Sequence, residues 1–201
     1  KFTKNVPGES FTVENMVTGA SALASHISAN FPNVKKCFLI GTSAVKRELE
    51  AVGITCIGGG VDSGGHGEAQ CVGDAMTQSK FDNMNVDDNC VQAVVVAGDF
   101  AFTYVQICIA VRYLQSDPNM PVFAGSNDQL SLGDCEGIRD TRMPGPTRIV
   151  TDALRVSAGV EAIVTGKPSL SLAQNLMQRY GFEAERTCMA GDRLDTDILM
   201  G

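Results

Sequence analysis

The sequence predicts an α/β fold, and three stretches carry that prediction. Ala93 to Ala97 is a run of apolar residues bounded by polar ones, the pattern of a strand buried on both faces of a parallel sheet. Cys37 to Ile40, Ala44 to Ala51 and Thr55 to Ile57 alternate strand, helix and strand. Val160 to Val164 reads as a strand and is followed by a turn carrying Lys167. A helix comes next, with Ala173, Leu176, Met177 and Tyr180 at helical spacing, and then Thr187 to Ala190, a short second strand ending at Asp192. β-α-β units build parallel sheets, and chemistry in such sheets collects beyond the carboxyl ends of the strands. Lys167 and Asp192 both fall there.

Taken in order, Pro7 and Gly8 mark a turn, and Thr12 is placed to cap a helix with an apolar stripe of Met16, Ala20, Leu23, Ala24 and Ile27. Asn30 to Asn33, with Pro32 as the breaker, ends it. The unit from Cys37 to Ile57 follows. Gly58 to Asn89 is glycine-rich and then polar and acidic, without apolar period, and reads as a long surface insertion. After the Ala93 strand, Tyr104 to Leu114 is helical, Pro121 to Ala124 a strand, Ser126 to Met143 a polar loop and Thr147 to Val156 a helix. Pro168 suits the first turn of the next helix, and Gly181 and Phe182 close it.

Composition narrows the class. The 201 residues are 44% hydrophobic, enough for one large domain or two small ones. Lys and Arg total 16 against 23 Asp and Glu, for a net charge of -7, which argues against a nucleic-acid or anionic-membrane partner. The seven cysteines include no C-x-x-C pair and read as reduced thiols. No run approaches the roughly 18 apolar residues of a membrane span, so a soluble, cytoplasmic protein is expected. The chain starts at Lys1 as if inside a helix and stops at Gly201 as another begins. A fragment is therefore expected, and a missing amino terminus leaves an organelle open.

Lys167 and the aspartates carry the chemistry. A lysine in a strand-to-helix turn is most often a solvated cation, yet its charge opposes the positive end of the helix that follows. The two belong together when an anion sits between them, because backbone N–H groups and an ammonium then form a phosphate or carboxylate site. Asp192, Asp195 and Asp197 are read as helix caps or as a cation site. In the second case Asp192 at the strand end faces the ion, and Asp197, one turn on, orients it or bonds the loop. Hard oxygen ligands of this kind suit Mg2+.

Gly166-Lys167-Pro168-Ser169, followed after a helix by Met189-Ala190-Gly191-Asp192-Arg193-Leu194-Asp195-Thr196-Asp197-Ile198, resembles the third and fourth motifs of the haloacid dehalogenase (HAD) superfamily. More narrowly it resembles the 4-nitrophenylphosphatase and phosphoglycolate phosphatase branch. Cys37 to Ile54 is similar to the opening of that branch's large cap, and Ala93 to Tyr104 to its central strand and turn. The resemblance implies a partial Rossmann-like core with a large inserted α/β cap: residues 1–34 core, 35–164 cap and 165–201 core with the third and fourth motifs. By the same resemblance, Lys167 neutralises the phosphate and the nucleophile, Asp192 ligates Mg2+ and Asp197 is the supporting acid. Family members also use an aspartate nucleophile in a D-x-D motif and a Thr/Ser-Asn phosphate motif. No aspartate occurs in the first 61 residues, so the chain is expected to begin just after the second motif and to be inactive by itself. The cap's substrate loop, roughly Thr-Asn-x-Asp in relatives, corresponds to Ser126-Asn127-Asp128-Gln129. Asn127 and Ser126 are carried over as substrate-binding, and Gln129 departs from the acidic position.

The implied activity is Mg2+-dependent hydrolysis of a small phosphomonoester, 2-phosphoglycolate or 4-nitrophenyl phosphate in type, through a phospho-aspartate. The alternative is a non-catalytic phosphate-ligand binding protein. Relatives also imply a possible homodimer through the cap. Three other patterns are set aside. The glycines from Gly58 to Gly67 lack a following Gly-Lys-Ser/Thr. Asp62-Ser63-Gly64-Gly65 follows Val61 in an α/β rhythm foreign to the trypsin-like proteases that use a similar segment. His26 and His66 have no Cys or His at zinc-ligand spacing.

Overall fold

The computed structural model describes residues 15–59, 91–127, 129–131 and 142–201. Its elements in chain order are α1 (Gly19–Asn30), β1 (Lys36–Gly41), α2 (Ser43–Ala51), β2 (Thr55–Gly58), β3 (Ala93–Ala97), α3 (Tyr104–Ser116), β4 (Val122–Ala124), β5 (Gln129–Ser131), β6 (Arg142–Pro144), α4 (Pro146–Ala158), β7 (Ala162–Val164) and α5 (Leu170–Tyr180). Five strands form one sheet in the order β2-β1-β3-β4-β7, parallel at every pairing. The fold is α/β, as the apolar runs predict.

Strand alternation builds two cores. In β1, Cys37 and Leu39 point to one face and Phe38 and Ile40 to the other; in β3, Ala93, Val95 and Ala97 oppose Val94 and Val96. The first face packs on Leu23, Ala24 and Ile27 of α1 and Val45 and Leu49 of α2. The second packs on Ala110, Tyr113 and Leu114 of α3 and Val150 and Leu154 of α4. With helices on both faces, a central strand must be apolar on both. That is why β3 reads as a continuous run rather than an alternating one. The helix α1, whose sequence lies in the segment assigned to the core, packs on the sheet of the segment assigned to the cap.

Several boundaries differ from expectation. Thr12 lies outside the described residues, and α1 starts at Gly19 because Thr18 and Ser21 form a capping box. The Ser21 N–H donates to Thr18 Oγ1 at 3.1 Å and the Thr18 N–H to Ser21 Oγ at 3.0 Å. Met16 therefore precedes the helix and is exposed. The loop from Ser126 to Met143 contains a short antiparallel ladder, β5 with β6, and residues 128 and 132–141 lie outside the described residues. Polar Gln129, Ser131 and Arg142 conceal that ladder from a hydropathy reading. Most of the Gly58–Asn89 insertion likewise lies outside. Pro168 precedes the helix cap Ser169 instead of occupying the first turn.

Thr187 to Ala190 is not a strand. A short 3-10 turn, Ala184–Arg186, precedes it, and the chain then runs on without ladder partners among the described residues. Thr187, Cys188 and Ala190 are exposed. Apolar content gives a strand its propensity, but only a neighbour's N–H and C=O groups make it one.

Candidate active site

The candidate residues collect at the carboxyl edge of the sheet, where β4 and β7 end side by side. Their register pairs Ala124 with Val164, so the next residues of each strand leave the sheet together. Thr165 locks the two ends: its N–H and its Oγ1 both donate to the Ala124 carbonyl, at 2.9 and 3.1 Å. Its side chain is buried, so the hydroxyl has its partner within the protein. Beyond this clamp, β4 delivers Ser126, half-buried, and Asn127, exposed, while β7 delivers Gly166 and Lys167.

Lys167 is held by Asp197. Its Nζ donates to Asp197 Oδ1 at 2.5 Å, with the lysine side chain 42% exposed and the aspartate 6%. Asp197 sits in a single π-helical turn, Leu194–Ile198. Its other oxygen accepts the Arg193 N–H at 3.3 Å. The Lys167 hydrogen bond chiefly holds the Asp197 carboxyl below its ordinary range; burial works against this, and the backbone N–H groups add to it. This aspartate is a charged anchor facing inward. The Lys167 side chain remains partly exposed, two residues before the cap position of α5, where no side chain caps the first turn.

The three aspartates of the fourth motif do not converge. Asp192 is exposed on a bend, Asp197 turns to Lys167, and Asp195 forms a two-pronged pair with Arg193, Nε to Oδ1 at 3.1 Å and Nη2 to Oδ2 at 2.7 Å. Among the described residues no group of three or more His, Cys, Asp or Glu is placed to hold a metal. Mg2+ commonly uses one or two carboxylates and keeps several waters. The exposed carboxylate of Asp192 fits as one such ligand and no more.

Two glycines belong to the site that their bland residue type hides in sequence. A Cβ on Gly191 would collide with the Asp197 side chain, and one on Gly166 would collide with the Gly125 carbonyl. The signal was present as a glycine immediately before each of Asp192 and Lys167. Spacing alone does not distinguish a close approach from an ordinary turn.

The HAD-hydrolase-like family model matches residues 164–201. Phosphoglycolate phosphatase 2 of Arabidopsis thaliana is 33% identical over 193 residues, covering 96% of this chain and 59% of the relative. In structure, the p-nitrophenyl phosphatase from Archaeoglobus fulgidus superposes with a TM-score of 0.69 at 19% identity, covering 96% of this chain and 60% of that one. The glycerol phosphate phosphatase from Mycobacterium tuberculosis, in complex with magnesium, gives 0.65 at 23%, covering 95% and 47%. The chain thus spans between about half and three fifths of the length of these relatives. Residues 164–201 thus carry the pattern of the HAD-hydrolase-like family, and the chain is similar in sequence to a phosphoglycolate phosphatase and in fold to a p-nitrophenyl phosphatase.

Proposed function

We propose that the whole protein hydrolyses a small phosphomonoester, 2-phosphoglycolate or 4-nitrophenyl phosphate in type, and that this chain supplies its lysine, one metal ligand and its substrate loop. The observation that carries the proposal is the Lys167–Asp197 pair, which fixes an open ammonium beside an uncapped helix start at the sheet's carboxyl edge. An ammonium and free backbone N–H groups in one place bind a phosphate. Lys167 contacts the phosphoryl oxygens and screens them from an anionic nucleophile, and Asp197 keeps the ammonium in place. The nucleophile is an aspartate outside these residues. It takes the phosphoryl group as a phospho-aspartate that water then cleaves.

Asp192 would hold Mg2+, which when bound supplies charge neutralisation at the phosphate. Ser126 and Asn127, on the loop beside Lys167, face the leaving group and select it. A homodimer through the segment 35–164 and a cytoplasmic location complete the proposal. Among the described residues no helix is long and apolar enough to cross a membrane.

The test is phosphate release by the whole protein with Mg2+ and either ester, together with Lys167→Ala. Turnover lost in the variant supports the proposal, and turnover that survives places the chemistry elsewhere. Saturable phosphate binding without turnover would favour the alternative, a non-catalytic phosphate-binding protein.

A further inference from the structure

The close approach of two loops at Gly166 goes beyond the roles given to Lys167 and to the Ser126–Asn127 loop. A Cβ built on Gly166 would overlap the Gly125 carbonyl oxygen and stand 3.5 Å from Ser126 Cα. Gly125 is itself pressed inward. Its N–H donates to the Val96 carbonyl at 3.0 Å, and a Cβ there would stand 3.1 Å from the Ala97 Cβ. The ends of β3, β4 and β7 are therefore stacked backbone to backbone, leaving Gly125 little room to yield. Gly166 does not have a positive φ. Its lack of a side chain answers crowding, not backbone conformation.

Resting on the proposed function, we infer that Gly166 is a positioning residue that sets the distance between the lysine that meets the phosphate and the loop that meets the leaving group. Lys167 is tethered on its far side by Asp197, so a methyl group at position 166 displaces the Ser126–Asn127 loop relative to the ammonium. The lysine chemistry persists while the fit of the leaving group changes. Position 166 therefore governs which ester is preferred, although it offers no functional group to either.

The experiment uses the whole protein with Mg2+ and compares 2-phosphoglycolate with 4-nitrophenyl phosphate. Gly166→Ala should change the ratio of their kcat/KM values by about 10- to 100-fold, the scale of a displacement near 1 Å in a reacting complex. The change should lie mainly in KM, with kcat on the less affected ester within about threefold. Thr165→Val removes the hydroxyl clamp on Ala124 without adding bulk and should shift the ratio the same way by a smaller factor. Gly19→Ala is the control, because a Cβ there meets only the Gly125 oxygen at an ordinary 3.9 Å. Amide exchange at Thr165 should be faster in Gly166→Ala, a readout independent of turnover. An unchanged ratio in both Gly166→Ala and Thr165→Val, an equal loss on both esters, or unchanged exchange would overturn the inference. Lys167→Ala separates the two levels: retained turnover there defeats the proposed function itself, whereas lost turnover beside an unmoved ratio defeats only the role of Gly166.

Discussion

Lys167 and Asp197 stand 30 residues apart in sequence and meet through one hydrogen bond of 2.5 Å. The aspartate is buried and the lysine is not. One end of the pair is thus fixed inside the protein and the other reaches solvent. The same contact ties the turn after β7 to the last segment of the chain.

That bond predicts a pH dependence. The folded-state pKa of Asp197 lies below its ordinary value of 3.8, so the pair's contribution to stability is complete above about pH 3.8 and is lost as pH falls through the lowered pKa. Denaturant unfolding of the native chain and of Asp197→Asn should differ at pH 6 and converge toward pH 2. A constant difference across that range would show that the carboxylate is not what the pair depends on.

His26 has the opposite chemistry and the same sign. Its ring is buried in α1, near Phe31 and Phe123, and burial lowers its pKa from 6.5. The neutral ring belongs to the fold, and the unfolded chain takes up the proton more readily. Its contribution is complete above about pH 6.5 and declines as pH falls through the folded-state value. The stability lost between pH 8 and pH 5 should be smaller in His26→Leu than in the native chain, measured by urea titration.

Substitutions at the charges should separate by role. In the whole protein Asp192→Asn should abolish Mg2+-dependent turnover, because an amide is a poorer ligand for a hard cation and does not balance its charge. Lys167→Ala should cost roughly 10²- to 10³-fold in kcat, the scale of losing one preorganised charge. Raising Mg2+ well above the concentration that saturates the native protein should restore part of the turnover lost in Asp192→Asn but none of that lost in Lys167→Ala. Rescue of both would assign Lys167 to metal binding.

Asn127→Ala should change the ranking of 2-phosphoglycolate and 4-nitrophenyl phosphate and leave the better one within about fivefold in kcat, as expected for a group that fixes orientation but carries no reacting charge. Steady-state kinetics on both esters tests it. Equal losses on both would move Asn127 into the reacting centre.

Leu23 is fully buried under the sheet against Phe123 and its neighbours. Leu23→Ala should therefore cost about 2–5 kcal/mol of stability, read from chemical denaturation. A loss below about 1 kcal/mol would mean that α1 is not part of this core.

Much of this architecture was legible in the residues. Ala93 to Ala97 announced a strand buried on two faces, and the structure places it at the centre. Lys167 and Asp197 were each legible as motif residues, but their bond was not, since Asp197 reads in sequence as orienting a cation or bonding its own loop and the structure turns it to Lys167. Thr187 to Ala190 was misread because a ladder depends on a neighbour, and sequence spacing does not reveal one. Thr18 caps α1 through a reciprocal bond with Ser21, a serine in the place where glutamate or glutamine marks a capping box, which is why the cap escapes a motif reading. The crowding at Gly166 was hidden because its cause, the Gly125 carbonyl, is backbone from a distant strand.

The division of adjacent residues between two cores also limits how the chain can change length. Phe38 and Leu39 are neighbours in β1 but belong to opposite hydrophobic clusters. Inserting one residue before them would exchange their faces, exposing each core to the other's shape. Inserting two would restore the faces but push the Gly41–Thr42 turn about 7 Å along the strand, at roughly 3.3 Å per residue. Neither change can be absorbed locally. Length variation among homologues should thus be confined to connections such as the stretch between β2 and β3, while β1 and β3 evolve by replacing side chains without changing their count.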